Sequence, residues 1–507
     1  MTNQSNSRIA KNTILLYVRM LITLVITLYT SRVVLSALGE NDFGLYNVIG
    51  GVVVLFSFLT SALTNATQRY INYNLGLGEN GDVHKVFNVA TIAHYTILLV
   101  VFVLAETIGL WFTETQLNIP SDRMDAARWV YQMTILATLF SIIVIPYRSS
   151  IIATERMSIF AYISIFEVVL RLFVAMSLPY YGSDILILYS GLITGVSILS
   201  FFSYRIICRK TIAFTRFKFV WDKVLYKEMM TFSSWYLFGG VTQVGSKQGV
   251  NILINIFYNV GVNAAVGIAN QVSNAVFGFV SSFQTAFNPQ IVKLYASGEH
   301  DNLLSLIFRS SKMSYYLLFI ISLPVIVFCD RILSIWLVDV PQYTAVFTQL
   351  VIATSVFEAL SAPLWTAIGA TGHIKYYQIF VSLIIIFDIP LVYIALKLGA
   401  SPTIAFVIYI FVSLFAYIYR VLYIRRYVKY SILDYLKKVI IPCLFVTLLS
   451  IPVSLIAYHY SDGIISTLVM ILLLVMFTTM VIFSLGLNKG ERLFVEDKVK
   501  SIISRVL

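Results

Sequence analysis

Charged side chains are scarce in this sequence. Asp, Glu, Lys and Arg together supply 12% of its 507 residues, whereas they supply about 25% of a typical soluble domain. Hydrophobic residues reach 59%. This composition excludes an ordinary soluble enzyme and predicts an integral membrane protein.

Cysteine and histidine are also rare, with three cysteines and five histidines in the whole chain. They lie in distant segments, so no disulfide framework and no metal-binding motif is predicted. The sequence contains neither a Walker lysine motif nor a glycine-rich strand-to-helix turn. These absences argue against ATP hydrolysis, against an enzyme and against any cofactor. An ion gradient, of H⁺ or Na⁺, or a substrate gradient is then left as the driving force for any work that the protein performs.

The net charge of +12 does not indicate nucleic-acid binding, because the basic residues follow the positive-inside rule. With both termini in the cytoplasm, most of the Lys and Arg residues fall on the cytoplasmic side. One cluster lies between 205 and 227 and another between 420 and 438. We expect these clusters to fix the topology and to contact anionic membrane lipids.

Long apolar runs predict an all-α membrane protein with about 14 transmembrane helices, each near the ~20 residues that a bilayer requires. The predicted spans are 13–37, 44–67, 87–112, 126–149, 158–179, 184–206, 231–258, 262–287, 313–335, 344–368, 376–396, 402–424, 439–459 and 463–486.

Two weak internal matches suggest that spans 1–6 and 7–12 are copies of one module. Gly78-Glu79 recurs as Gly298-Glu299, and at a nearly equal offset Pro146 with Ala153-Thr154 recurs as Pro363 with Ala370-Thr371. An even number of spans gives both copies the same membrane orientation. The predicted domains are an N-lobe over 1–218, a C-lobe with its basic linker over 219–430, and two further spans with a cytoplasmic tail over 431–507.

The seventh span carries a polar stripe inside an apolar helix. Gln243, Lys247, Asn251 and Asn255 recur every four residues and therefore share one helix face. A lysine near mid-span costs about 2.5–3.5 kcal/mol on insertion scales, so we expect a hydrated or anionic neighbour. The alternative is that Lys247 pairs with an acid on an adjacent helix.

Charged residues inside predicted spans are candidates for function, because an unpaired charge is costly in hydrocarbon. Arg19, Arg171 and Lys247, with the stripe amides, suit an anionic, hydroxyl-rich ligand, although Arg19 is near enough to the surface to snorkel. Glu167, Glu358 and Asp388 are candidates for ion coupling. The alternatives are that Glu167 simply neutralises Arg171 at i,i+4 and that Asp388 is an acid near the membrane interface.

Several motifs resemble one transporter family. They are Asn12 before the first span, Leu38-Gly39 with Gly44-Leu45-Tyr46, and the segments 248–255, 262–272 and 288–293, completed by Pro363 with 370–372. Over nearly the whole chain the sequence resembles the polysaccharide-type (Wzx-like) flippases of the multidrug/oligosaccharidyl-lipid/polysaccharide (MOP) superfamily.

The resemblance implies two pseudo-symmetric six-helix lobes of the MATE/MOP type plus two C-terminal helices. It implies a flippase in the bacterial inner membrane that moves undecaprenyl-pyrophosphate-linked oligosaccharides, such as O-antigen or capsule repeat units, by alternating access. Glycan polymerases or ligases of the same pathway are expected partners, and nucleic acid is not. Three alternatives stay open: a cation-coupled multidrug exporter of the same superfamily, a lipid II flippase and, with less support, a membrane glycan polymerase.

Overall fold

A computed structural model describes residues 3–54, 57–115, 119–181, 184–258, 260–337, 340–493 and 496. No β-strand occurs within these ranges, and almost all of their residues are helical. The prediction of an all-α membrane protein is confirmed. The tail beyond 493 lies outside the described residues, apart from residue 496.

The chain forms two compact units. The first comprises Met1–Val241, Thr285–Glu299 and Gly372–Gln378, and the second comprises Thr242–Gln284, His300–Thr371 and Ile379–Leu507. Two long helices, α9 (Lys223–Phe257) and α10 (Val260–Ala296), contribute residues to both units. The predicted domain boundaries after residues 218 and 430 stay predictions.

Eight helices precede α9 in the first unit: α1 (Asn3–Val54), α2 (Ser57–Gly76), α3 (Val83–Leu104), α4 (Leu110–Thr115), α5 (Met124–Ile143), α6 (Ile145–Ala153), α7 (Met157–Ser177) and α8 (Ile185–Thr211). Within α1 the helix direction changes at Gly39, whose φ of 75° is left-handed and suits glycine. Between predicted spans one and two, the chain therefore has a kink between two helices. At the α5–α6 break, Pro146 lacks the N–H that would bond the carbonyl of Ile142.

Ten helices follow α10: α11 (His300–Val327), α12 (Cys329–Trp336), α13 (Thr344–Ala359), α14 (Ala362–Thr371), α15 (Lys375–Ile386), α16 (Asp388–Lys397), α17 (Ile404–Ile424), α18 (Ile432–Tyr435), α19 (Ile441–His459) and α20 (Ile464–Val481). The α15–α16 break at Phe387 precedes Pro390. The α13–α14 pair bends by 46°, just before Pro363. Pro146 and Pro363 thus accompany helix breaks at corresponding places in the two copies of the repeat.

Among the described residues, ten helices are long and apolar enough to cross a membrane, or eleven if the bent α13–α14 pair is one span. These eleven coincide with eleven of the predicted spans. The other three predictions, 44–67, 231–258 and 262–287, fall on helices that are more polar, and residues 55 and 56 of the first lie outside the described ranges. At 35 and 37 residues, α9 and α10 exceed the ~20 residues that a span requires.

Each unit has its own apolar core. In the first unit Leu16, Phe87 and Ile151 belong to a buried cluster that also includes Ala286 of α10. In the second unit Ile254, Phe347 and Val392 belong to another. The C-terminal helices belong to the second unit, where Lys312 of α11 forms a buried ion pair of 2.6 Å with Glu491. This packing anchors the chain end that follows α20.

Candidate functional site

The first unit contains a polar cavity of about 330 Å³ between α1, α5, α6, α7 and α8. Three arginines and one glutamate line it, so its formal charge is +2. The remaining polar lining consists of hydroxyl groups, from Thr23, Ser141, Ser164, Ser197, Ser200 and Tyr204. We call this cavity the arginine pocket.

Arg19 and Arg148 share one aromatic ring in the arginine pocket. The guanidinium carbon of Arg19 lies 4.7 Å from the ring centroid of Phe160, and that of Arg148 lies 5.4 Å from it. Neither arginine forms an ion pair with a described residue, and the Nε of Arg19 is buried without a hydrogen-bond partner. Cation–π contact therefore substitutes for a counter-anion at these two side chains.

The third arginine has an internal partner. Arg171 Nη2 lies 2.9 Å from Glu167 Oε1, one helical turn earlier on α7. Ser200 Oγ of α8 donates a hydrogen bond of 3.1 Å to Glu167 Oε2. The predicted i,i+4 pair is thus present, and its two members line the same cavity as Arg19. An incoming anion would compete with Glu167 for Arg171.

Sequence reasoning missed Arg148. It lies two residues after Pro146, at the end of a predicted span, where a basic residue is typical of the positive-inside rule. Pro146 was the available signal for the position of Arg148, because a proline breaks the helix and changes the direction in which the following residues point. Only the packing of α6 against α7 shows that Arg148 and Arg19 lie over one ring.

In the second unit, Asp388 is the first residue of α16 and only 2% exposed. Ser246 Oγ of α9 lies 3.3 Å from Asp388 Oδ2, and the other carboxylate oxygen is buried without a hydrogen-bond partner. No basic side chain among the described residues pairs with this carboxylate. Such a site suits a proton or a small cation. Both the coupling role of Asp388 and the alternative of an acid near the membrane interface stay predictions.

Glu358, next to the last residue of α13, is the other acid of this unit that was predicted for ion coupling. Its Oε1 accepts hydrogen bonds from Tyr409 (3.2 Å) and Ser413 (3.1 Å), both on α17. The side chain of Gln243 also bonds to Tyr409. Tyr409 therefore connects Gln243 to Glu358, an acid predicted for ion coupling. The sequence analysis did not identify this tyrosine.

The other members of the stripe have few polar partners. Lys247 and Asn255 are exposed, and Asn251 Oδ1 is buried without a hydrogen-bond partner. Lys247 forms no ion pair with any residue in the described ranges, so the alternative of a buried pair is not observed there. The roles predicted for Lys247, Asn251 and Asn255 stay predictions.

No protein-family model matches this chain, and no curated protein matches its sequence. Its fold does match solved structures. An outward-facing multidrug resistance MATE family transporter of the MOP superfamily aligns with a TM-score of 0.71 at 12% identity, over 84% of this chain and 97% of that one. The Vibrio cholerae MATE transporter VcmN, in its bent form, gives 0.64 at 16% identity, over 84% and 100%.

A MOP superfamily transporter from Pyrococcus furiosus also matches, with a TM-score of 0.68 at 11% identity, over 82% of this chain and 95% of that chain. It is described as having a binding pocket of reversed polarity that suggests a different function. At these identities the likeness establishes the fold alone. The chain is a multi-pass membrane protein with the fold of MATE transporters of the MOP superfamily.

Proposed function

We propose that this protein is a flippase that moves undecaprenyl-pyrophosphate-linked oligosaccharide repeat units across the bacterial inner membrane by alternating access. The observation that supports the proposal most directly is the arginine pocket. Two of its three guanidinium groups have no acidic partner among the described residues. Arginine is the side chain best suited to bidentate bonds with phosphate oxygens.

In this proposal Arg19 and Arg148 bind the pyrophosphate, while Arg171 exchanges its bond to Glu167 for a bond to a phosphate oxygen. The serine hydroxyls of the pocket would bond to the first sugars, since hydroxyl groups both donate and accept. The polyprenyl chain would stay in the surrounding lipid. Lys247 would supply a further cation from α9, and Asn251 and Asn255 further amide groups.

Ion coupling is assigned to Glu167, Glu358 and Asp388. Asp388 is the most buried of the three and has a single hydrogen-bond donor, Ser246. Glu167 would take up a proton when an anionic ligand displaces it from Arg171. Proton uptake by Glu167, or binding of a proton or small cation at Asp388, would link a cation gradient to the direction of transport.

Membrane lipids are further proposed partners. In the linker that precedes α9, Phe219 and Trp221 are exposed beside Lys218 and Lys223. An ion pair between Lys85 and Asp222 attaches this linker to α3. Aromatic side chains beside lysines suit the interface of an anionic leaflet.

The nearest rival is a cation-coupled multidrug exporter, which the fold neighbours and the acids of the second unit favour. Its drugs would be cations, and three arginines at the site would repel them. The Pyrococcus furiosus transporter, which shares this fold, is described as having a binding pocket of reversed polarity. The sign of the pocket charge is therefore the property to test. Lipid II flipping and glycan polymerisation have no specific support in the described residues.

The test compares purified protein with its Arg148→Ala and Lys247→Ala variants, using farnesyl pyrophosphate as a head-group probe. Each variant should bind the probe about 10- to 150-fold more weakly, as expected for one lost charge-assisted bond of ~1.5–3 kcal/mol. Neither variant should export surface glycan in a bacterial strain that lacks its own flippase. Arg209→Ala is the matched control, because Arg209 is exposed at the end of α8, outside the pocket.

Two results would refute the proposal. One is equal binding of farnesol and farnesyl pyrophosphate by the unmodified protein. The other is efflux of a cationic dye such as ethidium that Arg148→Ala leaves intact or increases, together with no glycan export. Normal export by Lys247→Ala alone would remove only that residue from the mechanism.

A further inference from the structure

Glu155 has a backbone conformation that an L-amino acid other than glycine rarely adopts. Its φ is +58°, and Tyr343 is the only other non-glycine residue with a positive φ within the described ranges. Glu155 lies two residues after the last residue of α6, where the chain turns into α7. Such strain persists only where surrounding contacts stabilise it, and it marks positions worth examining for function.

The second repeat satisfies the same backbone requirement with glycine. Gly372 occupies the position equivalent to Glu155, follows the same Ala-Thr pair and has a φ of +78°. Glycine adopts this conformation without steric cost. The first repeat therefore has a glutamate where the backbone alone would favour glycine, so the Glu155 side chain needs its own explanation.

That side chain joins α6 to a distant helix. Glu155 is 6% exposed, and its Oε1 lies 2.6 Å from Lys293 Nζ and 2.7 Å from Gln290 Nε2. Both partners are on the last turns of α10, far away in sequence. Asn12 of α1 also donates to the Glu155 carbonyl oxygen at 3.4 Å. All four residues belong to the first compact unit.

A second contact is related to this one by the internal repeat. Arg69, on α2, lies over the rings of Tyr70 and Phe232. A Cβ added to Gly372 would come within 2.7 Å of Arg69 Nη2, so the guanidinium lies directly against that glycine. The repeat relates the end of α2 to the end of α10, and Gly372 to Glu155. The two contacts therefore join corresponding helix ends, and the one at Glu155 contains a buried ion pair.

We propose that Glu155, Gln290 and Lys293 form a releasable latch between the ends of α6 and α10, closed in this conformation and open in the opposite state of the transport cycle. A buried ion pair adds little net stability, but losing one partner is costly, so such a contact favours one of two discrete states. The predicted topology places both helix ends at the cytoplasmic surface. The proposal rests on the transport function because it requires alternation between two conformations.

The experiment measures access to α10 from the cytoplasm. A cysteine-free background, with Cys208, Cys329 and Cys443 replaced by alanine, receives Ala286→Cys as a reporter. Ala286 is 1% exposed and packs in the apolar cluster of the first unit. Inside-out membrane vesicles are treated with a membrane-impermeant maleimide. The rate of labelling is compared between the parent and its Glu155→Gln and Glu155→Gly variants.

Both variants should be labelled about tenfold faster, which corresponds to ~1.4 kcal/mol in the opening equilibrium. Glu155→Gly is the decisive variant, because it relieves the backbone strain and loses only the side-chain contact. Glu79→Gln is the matched control, since Glu79 is an exposed acid in the turn Gly78–Asn80. It should be labelled at the parent rate.

A second reporter separates opening of the latch from general loosening. Ser190 of α8 is 2% exposed, and Ser190→Cys should be labelled slowly in every variant. Parent-rate labelling of the Ala286→Cys reporter in either Glu155 variant would overturn the proposal, and so would faster labelling at both reporters. Because no substrate is needed, failure of the flippase assignment would show in the glycan and pyrophosphate assays and not in this one.

Discussion

The two units carry opposite charge at positions that the internal repeat makes equivalent. The offset that relates Pro146 to Pro363 also relates Arg171, in the arginine pocket, to Asp388 in the second unit. The same offset relates Ser141, which lines the pocket, to Glu358. One copy thus has a cation and a hydroxyl where the other has two carboxylates.

The surroundings differ as much as the charges. Arg171 is partly exposed to a cavity rich in hydroxyl groups, whereas Asp388 is enclosed and has one hydrogen-bond donor. A hydrated guanidinium can exchange its partner for a large anion, but an enclosed carboxylate has room only for a proton or a small cation. Under the proposed function, the arginine pocket of the first copy would bind the substrate anion, and the most enclosed of the three coupling acids, Asp388, would lie in the second copy.

Replacing Arg171 by the residue of the other copy should have the largest effect. Arg171→Asp removes one charge-assisted bond and places a second carboxylate next to Glu167. We expect farnesyl pyrophosphate to bind at least about 100-fold more weakly, a loss of ~3 kcal/mol or more. Binding measured by isothermal titration, with Arg209→Asp as the control for net charge, checks this. Unchanged affinity would show that the arginine pocket is not the anion site.

The complementary change in the second unit should affect coupling and not binding. Asp388→Asn retains the shape of the side chain but cannot gain or lose a proton. Farnesyl pyrophosphate affinity should stay within ~0.5 kcal/mol of the parent, while transport into proteoliposomes should no longer respond to an imposed H⁺ or Na⁺ gradient. Asp330→Asn, an exposed acid at the start of α12, should leave the response intact. A gradient response in Asp388→Asn would move coupling to Glu358 or Glu167.

A smaller effect is expected at the ion-pair cluster of the first unit in which Arg123 pairs with Asp42 and with Asp184 (2.6 Å). Partial burial raises the pKa of Asp184, but hydrogen bonds from Arg123 and from the N–H groups of Ile187 and Leu186 outweigh it, so the pKa lies below its usual value. The stabilisation is therefore complete above the unfolded pKa of ~3.9 and is lost as the pH falls through the folded pKa. Its size should be about 1 kcal/mol or less, because the pair is partly solvated.

The measurement is the thermal unfolding midpoint in detergent between pH 7 and pH 3. The decrease at low pH should be smaller in Asp184→Asn than in the parent. Asp125→Asn is the matched control, because the Asp125 side chain is 99% exposed and its nearest arginine nitrogen lies 3.8 Å away. An equal decrease in all three proteins would show that the Arg123 cluster does not contribute to the pH dependence.

Much of this fold follows from the sequence, because lipid requires long apolar helices whose backbone groups are bonded within the helix. The repeat was also detectable, since Pro146 and Pro363 mark helix breaks in both copies. Helices α9 and α10 were predicted as membrane spans, but they are not among the helices whose length and composition together suffice to cross a membrane. The Glu167–Arg171 pair was predictable because i,i+4 spacing is a local property of one helix.

Contacts between helices were less predictable. Arg148 looked like a topology signal at a span end, and nothing local shows that it lies over the same ring as Arg19. The Ser246–Asp388 contact joins residues that are far apart in the chain, so neither partner predicts the other. The left-handed conformation of Glu155 was not predictable from the sequence, because a glutamate near a helix end is common. Only the comparison with Gly372, which has a positive φ at the equivalent position, shows that this backbone conformation favours glycine.

Phe160 has a consequence for how the arginine pocket is kept ready. A carboxylate that holds an arginine must be displaced before a phosphate can bind, which adds a barrier. An aromatic face attracts a guanidinium without occupying its N–H groups, by about 0.5–2 kcal/mol per contact. Arg19 and Arg148 can therefore wait beside one ring with their donors uncommitted. Phe160 thus holds both guanidinium groups without an anion that an incoming pyrophosphate would have to displace.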